Sequence, residues 1–141
     1  MVKILLGSHG HFASGLKTSL DILLGNSDVV TALDAYVDES SVADKLDEFF
    51  ASVADDDQVL MMSDLLGGSV NTEMCKKLTR PNTYLFAGVN LAFVLELAAM
   101  APYNEEGFEK DYLITTLNNS QNAMQLVQID EEEPAQEDDF F

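Results

Sequence analysis

Basic residues are scarce in this 141-residue sequence, in which seven Lys and Arg stand against 25 Asp and Glu and the formal net charge is −18. This imbalance argues strongly against nucleic acid or an anionic membrane surface as a partner, because both attract basic proteins. A single cysteine, Cys75, excludes an intramolecular disulfide and is typical of a reducing compartment. No apolar run has the length of a signal peptide or a membrane span, so we expect a cytoplasmic protein.

The acidic excess is partly local. Residues 130–141 contain seven acids and no base, so residues 1–129 retain a net charge of −11. This composition, together with Pro134, predicts a solvated and disordered tail. Residues 1–129 are long enough to form one domain around a single core.

Four short apolar runs alternate with helical patterns along the chain. The predicted strands are Val2–Leu6, Val29–Leu33, Val59–Met62 and Tyr84–Gly88. Helices are predicted up to Gly25, from Ser41 to about Val53, from Ser69 to Leu78 with Leu78 inward, from Asn90 to about Ala101, and from near Glu105 or Glu106. The segment Ala123–Ile129 fits either a helical tail or a short strand.

Strands that alternate with helices across short loops predict an α/β fold, doubly wound, with a mainly parallel sheet and helices on both faces. If the first strand is central, right-handed crossovers favour the order 2-1-3-4. The crevice then opens between strands one and three, where ligands bind in such folds. Just beyond the carboxyl ends of these strands lie His9 and Asp64.

His9 is the candidate nucleophile. A nucleophilic imidazole needs one bare nitrogen and one held N–H, and a carboxylate that accepts the Nδ1 proton leaves Nε2 free. Asp64 is the candidate for this carboxylate. The plainer alternatives are a histidine that merely follows a strand and an aspartate that caps the next helix.

Gly67, Gly68 and Ser69 follow Asp64 and form the candidate phosphoryl-binding segment. Glycines at the start of a helix can bring bare backbone N–H groups close to an anion, and Ser69 would add a hydroxyl. The alternative is that the two glycines only make a tight turn. Ser8, beside the histidine, would supply a further hydroxyl or form the turn.

Other chemistries fit the sequence less well. A metal site at His9, His11 and Asp64 would lack ligands, because the chain has two histidines and one cysteine, so we expect no metal. No glycine–lysine phosphate loop or dinucleotide-binding motif is present, and we expect no cofactor. A receiver domain would need an acidic cluster near the first strand, where this chain has Gly7-Ser8-His9-Gly10. Phosphoryl transfer through a nitrogen nucleophile remains the favoured chemistry.

These residues resemble the enzyme IIA component of the mannose class of the bacterial phosphoenolpyruvate-dependent sugar phosphotransferase system. The resemblance covers residues 1 to about 129 and rests on Gly7-Ser8-His9-Gly10, Leu23-Leu24-Gly25, Asp64-Leu65-Leu66-Gly67-Gly68-Ser69 and Ala87-Gly88-Val89-Asn90-Leu91. It implies that His9 accepts a phosphoryl group on Nε2 from the carrier protein HPr and passes it to a IIB component. It also implies that Asp64 orients the histidine and that Ser69 lies near the phosphoryl group.

The resemblance further implies a homodimer with a C-terminal strand exchanged between subunits, and only indirect contact with the membrane IIC and IID components. Val70 departs from the family, which commonly has proline after this Gly-Gly-Ser, and proline there would preset the first helical turn. The sequence motifs around His9 and Asp64 resemble those of amino-sugar members of the family more than those of mannose members. The alternative function is a regulatory phospho-acceptor that reports the state of the system by binding and feeds no transporter.

Overall fold

The computed structural model describes residues 1–129, and the predicted acidic tail at 130–141 lies outside the described residues. Four parallel strands form one sheet in the order β2-β1-β3-β4, which confirms the predicted order. They are β1 (Val2–His9), β2 (Val30–Ala35), β3 (Gln58–Ser63) and β4 (Thr83–Ala87).

Five helices cover the two faces of this sheet: α1 (Phe12–Leu24), α2 (Val42–Ala51), α3 (Ser69–Cys75), α4 (Leu91–Met100) and α5 (Lys110–Gln121). Ile4 and Leu6 of β1 pack in a core layer with α1, α4 and α5, whereas Leu5 packs in a second layer with α2 and α3. The doubly wound α/β architecture is therefore confirmed. None of the helices in residues 1–129 is long and apolar enough to cross a membrane.

The helix ends follow the signals in the sequence. The Ser41 hydroxyl accepts the Asp44 N–H at 3.0 Å, and Asn90 Oδ1 accepts the Phe93 N–H at 2.9 Å. Both bonds satisfy donors that the first turn of a helix leaves open. Gly25 closes α1 in the left-handed conformation, with φ 77°.

Two predicted helices have different bounds in the structure. α3 ends at Cys75 and continues as a 3₁₀ turn, Lys76–Thr79, and Leu78, predicted to face inward, is 45% exposed. The tighter 3₁₀ turn shifts Leu78 off the row of Val70 and Met74, which are both fully buried. The fifth helix begins at Lys110 instead of Glu105 or Glu106.

The late start of α5 has a backbone cause. Gly107 has φ 104°, which no right-handed helix accommodates, and Phe108 inserts into the core ahead of the helix. Buried Gln58 holds it there, because its Oε1 accepts the Phe108 N–H at 2.8 Å and its Nε2 donates to the Phe108 carbonyl at 3.0 Å.

The segment Ala123–Ile129 is neither helix nor strand in the single chain. Four of its apolar side chains are 85–95% exposed: Met124, Leu126, Val127 and Ile129. At one edge of the sheet, β4 is half-buried along its whole length. The exchanged strand therefore stays a prediction.

Gly7 lets α3 approach the sheet closely. A Cβ at this position would lie 2.5 Å from Met74 Cε and 3.0 Å from Val70 Cγ1. The contact with Met74 is shorter than packed carbon atoms show and the contact with Val70 is at the tight limit, so at least one of these buried side chains would have to shift. Because α3 also begins with Ser69, the absence of a side chain at Gly7 helps to fix the distance between Ser69 and β1.

We expect Gly7→Ala to lower the free energy of unfolding by about 1–3 kcal/mol, because the added methyl overpacks the contact with α3. Gly15→Ala is the matched control, since Gly15 lies on the exposed side of α1 with nothing within 4 Å of an added Cβ. That change should raise the free energy of unfolding by about 0.5–1 kcal/mol. Urea unfolding measures both, and a Gly7→Ala protein as stable as the unchanged protein would contradict the close approach.

Candidate functional site

The carboxyl ends of β1 and β3 bring His9 and Asp64 together. β1 runs through His9, three residues past the predicted end of the strand, and Asp64 directly follows β3. The Asp64 N–H donates to the Gly7 carbonyl at 3.1 Å and so ties the β3 loop to β1. The two residues thus meet at the predicted crevice.

One carboxylate oxygen of Asp64 accepts twice from His9. Oδ2 lies 2.9 Å from the His9 backbone nitrogen and 2.8 Å from Nδ1 of the ring. An ionised carboxylate can only accept, so Nδ1 carries the proton and neutral His9 has its lone pair on Nε2. The His9 side chain is 43% exposed and that of Asp64 is 17% exposed, so the ring is more accessible than the carboxylate that orients it.

The environment keeps Asp64 ionised. Burial raises the pKa of this carboxyl, but the hydrogen bonds from the backbone and ring of His9 outweigh burial and hold the pKa below its usual range. Oδ1 is buried and has no hydrogen-bond partner within residues 1–129. The alternative of a helix cap is not met, because Gly68 is the N-cap of α3.

Ser69 lies on the other side of the imidazole. Its Oγ is 3.3 Å from His9 Nε2 and 2.6 Å from the hydroxyl of Tyr36. The Tyr36 ring lies beside the imidazole, with 5.5 Å between ring centroids. Asp64, His9, Ser69 and Tyr36 therefore form one hydrogen-bonded chain.

Tyr36 was missed by the sequence analysis. The predicted second strand ended at Leu33, whereas β2 continues to Ala35 and so delivers Tyr36 to the same edge of the sheet as His9. The sequence did offer one signal, the position of Tyr36 just after a strand. In a parallel sheet, the residues that follow each strand all lie at the same edge, where ligands bind.

Contrary to the prediction from the sequence, Gly67 and Gly68 do not present bare N–H groups. The Gly67 N–H donates to Asn71 Oδ1 at 3.2 Å, and the Gly68 N–H donates to the Leu65 carbonyl at 3.2 Å. Gly68 instead leaves room for the imidazole, because a Cβ there would lie 3.3 Å from His9 Cε1. Gly67 has φ 75°, which favours glycine in this turn.

Asn71 is a second residue that the sequence analysis missed. It is buried, and its Nδ2 donates to the Ser63 hydroxyl at 2.9 Å while its Oδ1 accepts from Gly67. One amide thus connects the end of β3 with the loop before α3.

Ser8 is fully buried and holds the turn that follows His9. Its hydroxyl accepts the Ala13 N–H at 2.7 Å and donates to the Gly10 carbonyl at 3.2 Å. These contacts favour the turn-forming alternative for Ser8.

His11 belongs to a separate pair. Its Nδ1 lies 2.9 Å from Asp34 Oδ2, and Asp34 also accepts the N–H and the hydroxyl of Ser14. The two histidines therefore bind different carboxylates. Within residues 1–129, no group of three or more metal-ligating side chains converges.

A family model described as the fructose IIA component of the phosphotransferase system (PTS) matches residues 3–113. The chain belongs to this family of PTS IIA proteins. The resemblance stated from the sequence motifs is thus confirmed, and a PTS IIA protein is a phosphotransferase component. No curated protein matches the sequence.

Several solved structures share the fold of this IIA protein. A candidate permease of the phosphoenolpyruvate-dependent sugar PTS from Klebsiella pneumoniae is 28% identical, with a TM-score of 0.79 over 89% of this chain and 90% of the other. The mannose/sorbose-specific IIA subunit from Enterococcus faecalis is 24% identical, with a TM-score of 0.73 over 92% and 96%. A sigma-54 interaction domain protein from Enterococcus faecalis is 21% identical, with a TM-score of 0.62 over 86% and 91%.

The lowered pKa of Asp64 predicts a pH-dependent contribution to stability. Its carboxylate stabilises the folded protein above the unfolded pKa of about 4, and this contribution is lost as the pH falls through the folded pKa. The difference in unfolding free energy between the unchanged protein and Asp64→Asn should therefore shrink as the pH falls into the acid range. Urea unfolding between about pH 7 and about pH 3 measures it.

Asp28→Asn is the charge-matched control, because Asp28 is exposed and does not contact His9. Its free energy of unfolding should follow that of the unchanged protein. A gap for Asp64→Asn that persists undiminished in acid would mean that His9 does not stabilise the ionised carboxylate.

Proposed function

We propose that this IIA protein carries a phosphoryl group on His9, which it accepts from phospho-HPr and passes to a IIB component during sugar uptake. The observation that supports this most directly is the 2.8 Å contact between His9 Nδ1 and the Asp64 carboxylate, which leaves Nε2 with its lone pair. Membership of the PTS IIA family supplies the phosphotransferase role. The membrane IIC and IID components would take part only indirectly.

In the proposed transfer, the Nε2 lone pair of His9 attacks the phosphorus of phospho-HPr. The bond between phosphorus and Nε2 forms as the bond to the donor atom of HPr breaks, and HPr keeps that electron pair. The Nδ1 proton stays on the ring, where the Asp64 carboxylate stabilises the developing positive charge. Transfer to IIB repeats the step with His9 as the donor, and no cofactor is needed.

The neighbouring residues support the phosphoryl group in different ways. Ser69 donates its hydroxyl to a phosphoryl oxygen, since Oγ lies 3.3 Å from the atom that would carry the group. Gly68 keeps the α3 loop close to the ring, and Gly67 shapes its turn. Ser8 does not contact the phosphoryl group in this arrangement, and it contributes by stabilising the turn that follows His9.

Exposed apolar side chains at the same edge of the sheet favour docking of a protein. They lie on the loops after β2 and β3 and at the start of α1: Phe12, Val37, Leu65 and Leu66 are 40–79% exposed. Such side chains around a polar centre are typical of surfaces that bind proteins transiently. HPr and IIB would use this surface in turn.

Phosphoryl uptake from phosphoenolpyruvate, enzyme I and HPr tests the nucleophile. His9→Ala should keep the fold and abolish labelling, whereas His11→Ala, the matched control, should keep most of it. The label should be acid-labile and alkali-stable, as expected for a phosphorus–nitrogen bond. Asp64→Asn should accept phosphoryl slower by orders of magnitude, as when an orienting aspartate is lost from a catalytic triad. Full labelling of His9→Ala would exclude this mechanism.

A regulatory phospho-acceptor is the second candidate function. It has support in the fold that this chain shares with a sigma-54 interaction domain protein. Both functions use His9, so the second transfer separates them. A labelled protein that passes its phosphoryl group to a IIB component encoded beside it supports transport, and one that keeps the label favours regulation. The sequences of the motifs around His9 and Asp64 favour an amino sugar over mannose as the transported sugar.

We also propose that the protein is a homodimer in which Ala123–Ile129 pairs with the sheet of the partner subunit. The exposed apolar side chains of this segment and the half-buried edge strand β4 support this pairing. Unpaired N–H and C=O groups at a sheet edge gain hydrogen bonds from an added strand. The acids that begin at Asp130 would stop further chains from adding.

Two shortened proteins test the exchanged strand. A chain that ends at Asp130 should remain a dimer and accept phosphoryl, because it keeps the pairing segment. A chain that ends at Asn122 should be a monomer or should aggregate, since the partner's sheet edge is left open. Analytical ultracentrifugation distinguishes these states, and a stable dimer without residues 123–129 would refute the exchange.

A further inference from the structure

Tyr36 has an unfavourable backbone conformation. Its φ is 65°, and within residues 1–129 the one other non-glycine residue with a positive φ is Asn82 at 55°. Asparagine tolerates this left-handed region because its short side chain can hydrogen-bond locally, whereas a bulky tyrosine there is a genuine outlier. Such outliers persist where the surrounding structure requires them, and they cluster at functional sites.

Core packing does not explain the conformation. Tyr36 is 63% exposed, so most of its side chain is in water. Its specific contacts are with the site: the hydroxyl lies 2.6 Å from Ser69 Oγ, and the ring is tilted by 33° against the imidazole of His9. The strained backbone therefore directs the side chain toward the nucleophile and away from the core.

The positions of the protons along the chain follow from the chemistry of its groups. Since Nδ1 of His9 donates to Asp64, Nε2 can only accept, and the Ser69 hydroxyl must be its donor. Ser69 Oγ then remains an acceptor for the hydroxyl of Tyr36. One direction of donation therefore satisfies the whole chain: Tyr36 to Ser69, Ser69 to His9, and His9 to Asp64.

We infer that Tyr36 is a positioning residue for phosphoryl transfer, which holds the Ser69 hydroxyl on the nucleophilic nitrogen of His9. This inference rests on the proposed function. When a phosphoryl group occupies Nε2, the Ser69 proton turns to a phosphoryl oxygen while Oγ continues to accept from Tyr36. A hydroxyl that accepts a hydrogen bond is also a stronger donor, so Tyr36 strengthens the contact between Ser69 and the phosphoryl group.

Tyr36→Phe isolates the hydroxyl, because it keeps the ring beside His9. We expect phosphoryl uptake from phospho-HPr to slow about tenfold, the usual effect of losing one hydrogen bond in the transition state. Thermal stability should change little. Tyr103→Phe is the matched control, since Tyr103 is 81% exposed in the 3₁₀ turn after α4, and it should transfer at the unchanged rate.

A double-mutant cycle with Ser69→Ala tests whether Tyr36 acts through Ser69. In the Ser69→Ala background, Tyr36→Phe should have no further effect on the rate, because the group that it positions is gone. An equal slowing in both backgrounds, or a Tyr36→Phe protein with the unchanged rate, would overturn the inference.

Nitrogen-15 NMR of the unphosphorylated protein separates this inference from the proposed function. Tyr36→Phe should shift the His9 Nε2 resonance and leave the Nδ1 resonance nearly unchanged, whereas a merely structural role would move neither. If the unchanged protein takes no phosphoryl from phospho-HPr, the proposed function fails and the role in transfer falls with it. An unmoved Nε2 resonance with normal phosphoryl uptake would overturn the role of Tyr36 alone.

Discussion

The site depends on a single carboxylate oxygen. Asp64 Oδ2 accepts from both the backbone nitrogen and the ring of His9, at 2.9 and 2.8 Å. The backbone contact places the start of the β3 loop against the end of β1, and the ring contact fixes the tautomer. The position and the protonation of the His9 ring thus have the same origin, so a change that alters one also alters the other.

The parallel sheet makes this interaction available. Gly7 pairs in register with Ser63, so the two strands end side by side and their next residues face the same crevice. Val70, found where the family commonly has proline, is fully buried against Gly7. Its side chain therefore contributes packing between α3 and β1, the two elements that carry Ser69 and His9.

The sequence predicted the strand order, helices on both faces of the sheet, three helix ends and the contact between His9 and Asp64, because each depends on local pattern or on parallel topology. It did not predict that β2 reaches Ala35, since Asp34 interrupts the apolar run that marks the strand. Because the predicted strand was too short, Tyr36 was not recognised as a residue at the edge of the sheet. The hydrogen bonds of the Gly67 and Gly68 N–H groups could not be predicted either, because they depend on the conformation of the loop and on Asn71.

The exposure of His9 has a consequence for how long a phosphoryl group would last. Because 43% of the His9 side chain is exposed, the imidazole lies at an open part of the surface and not in a closed pocket. Two different proteins can approach such an exposed site in succession, and no lid has to open. An open site would also leave a phosphoryl group on His9 accessible to water, so hydrolysis would compete with transfer whenever no acceptor protein is bound.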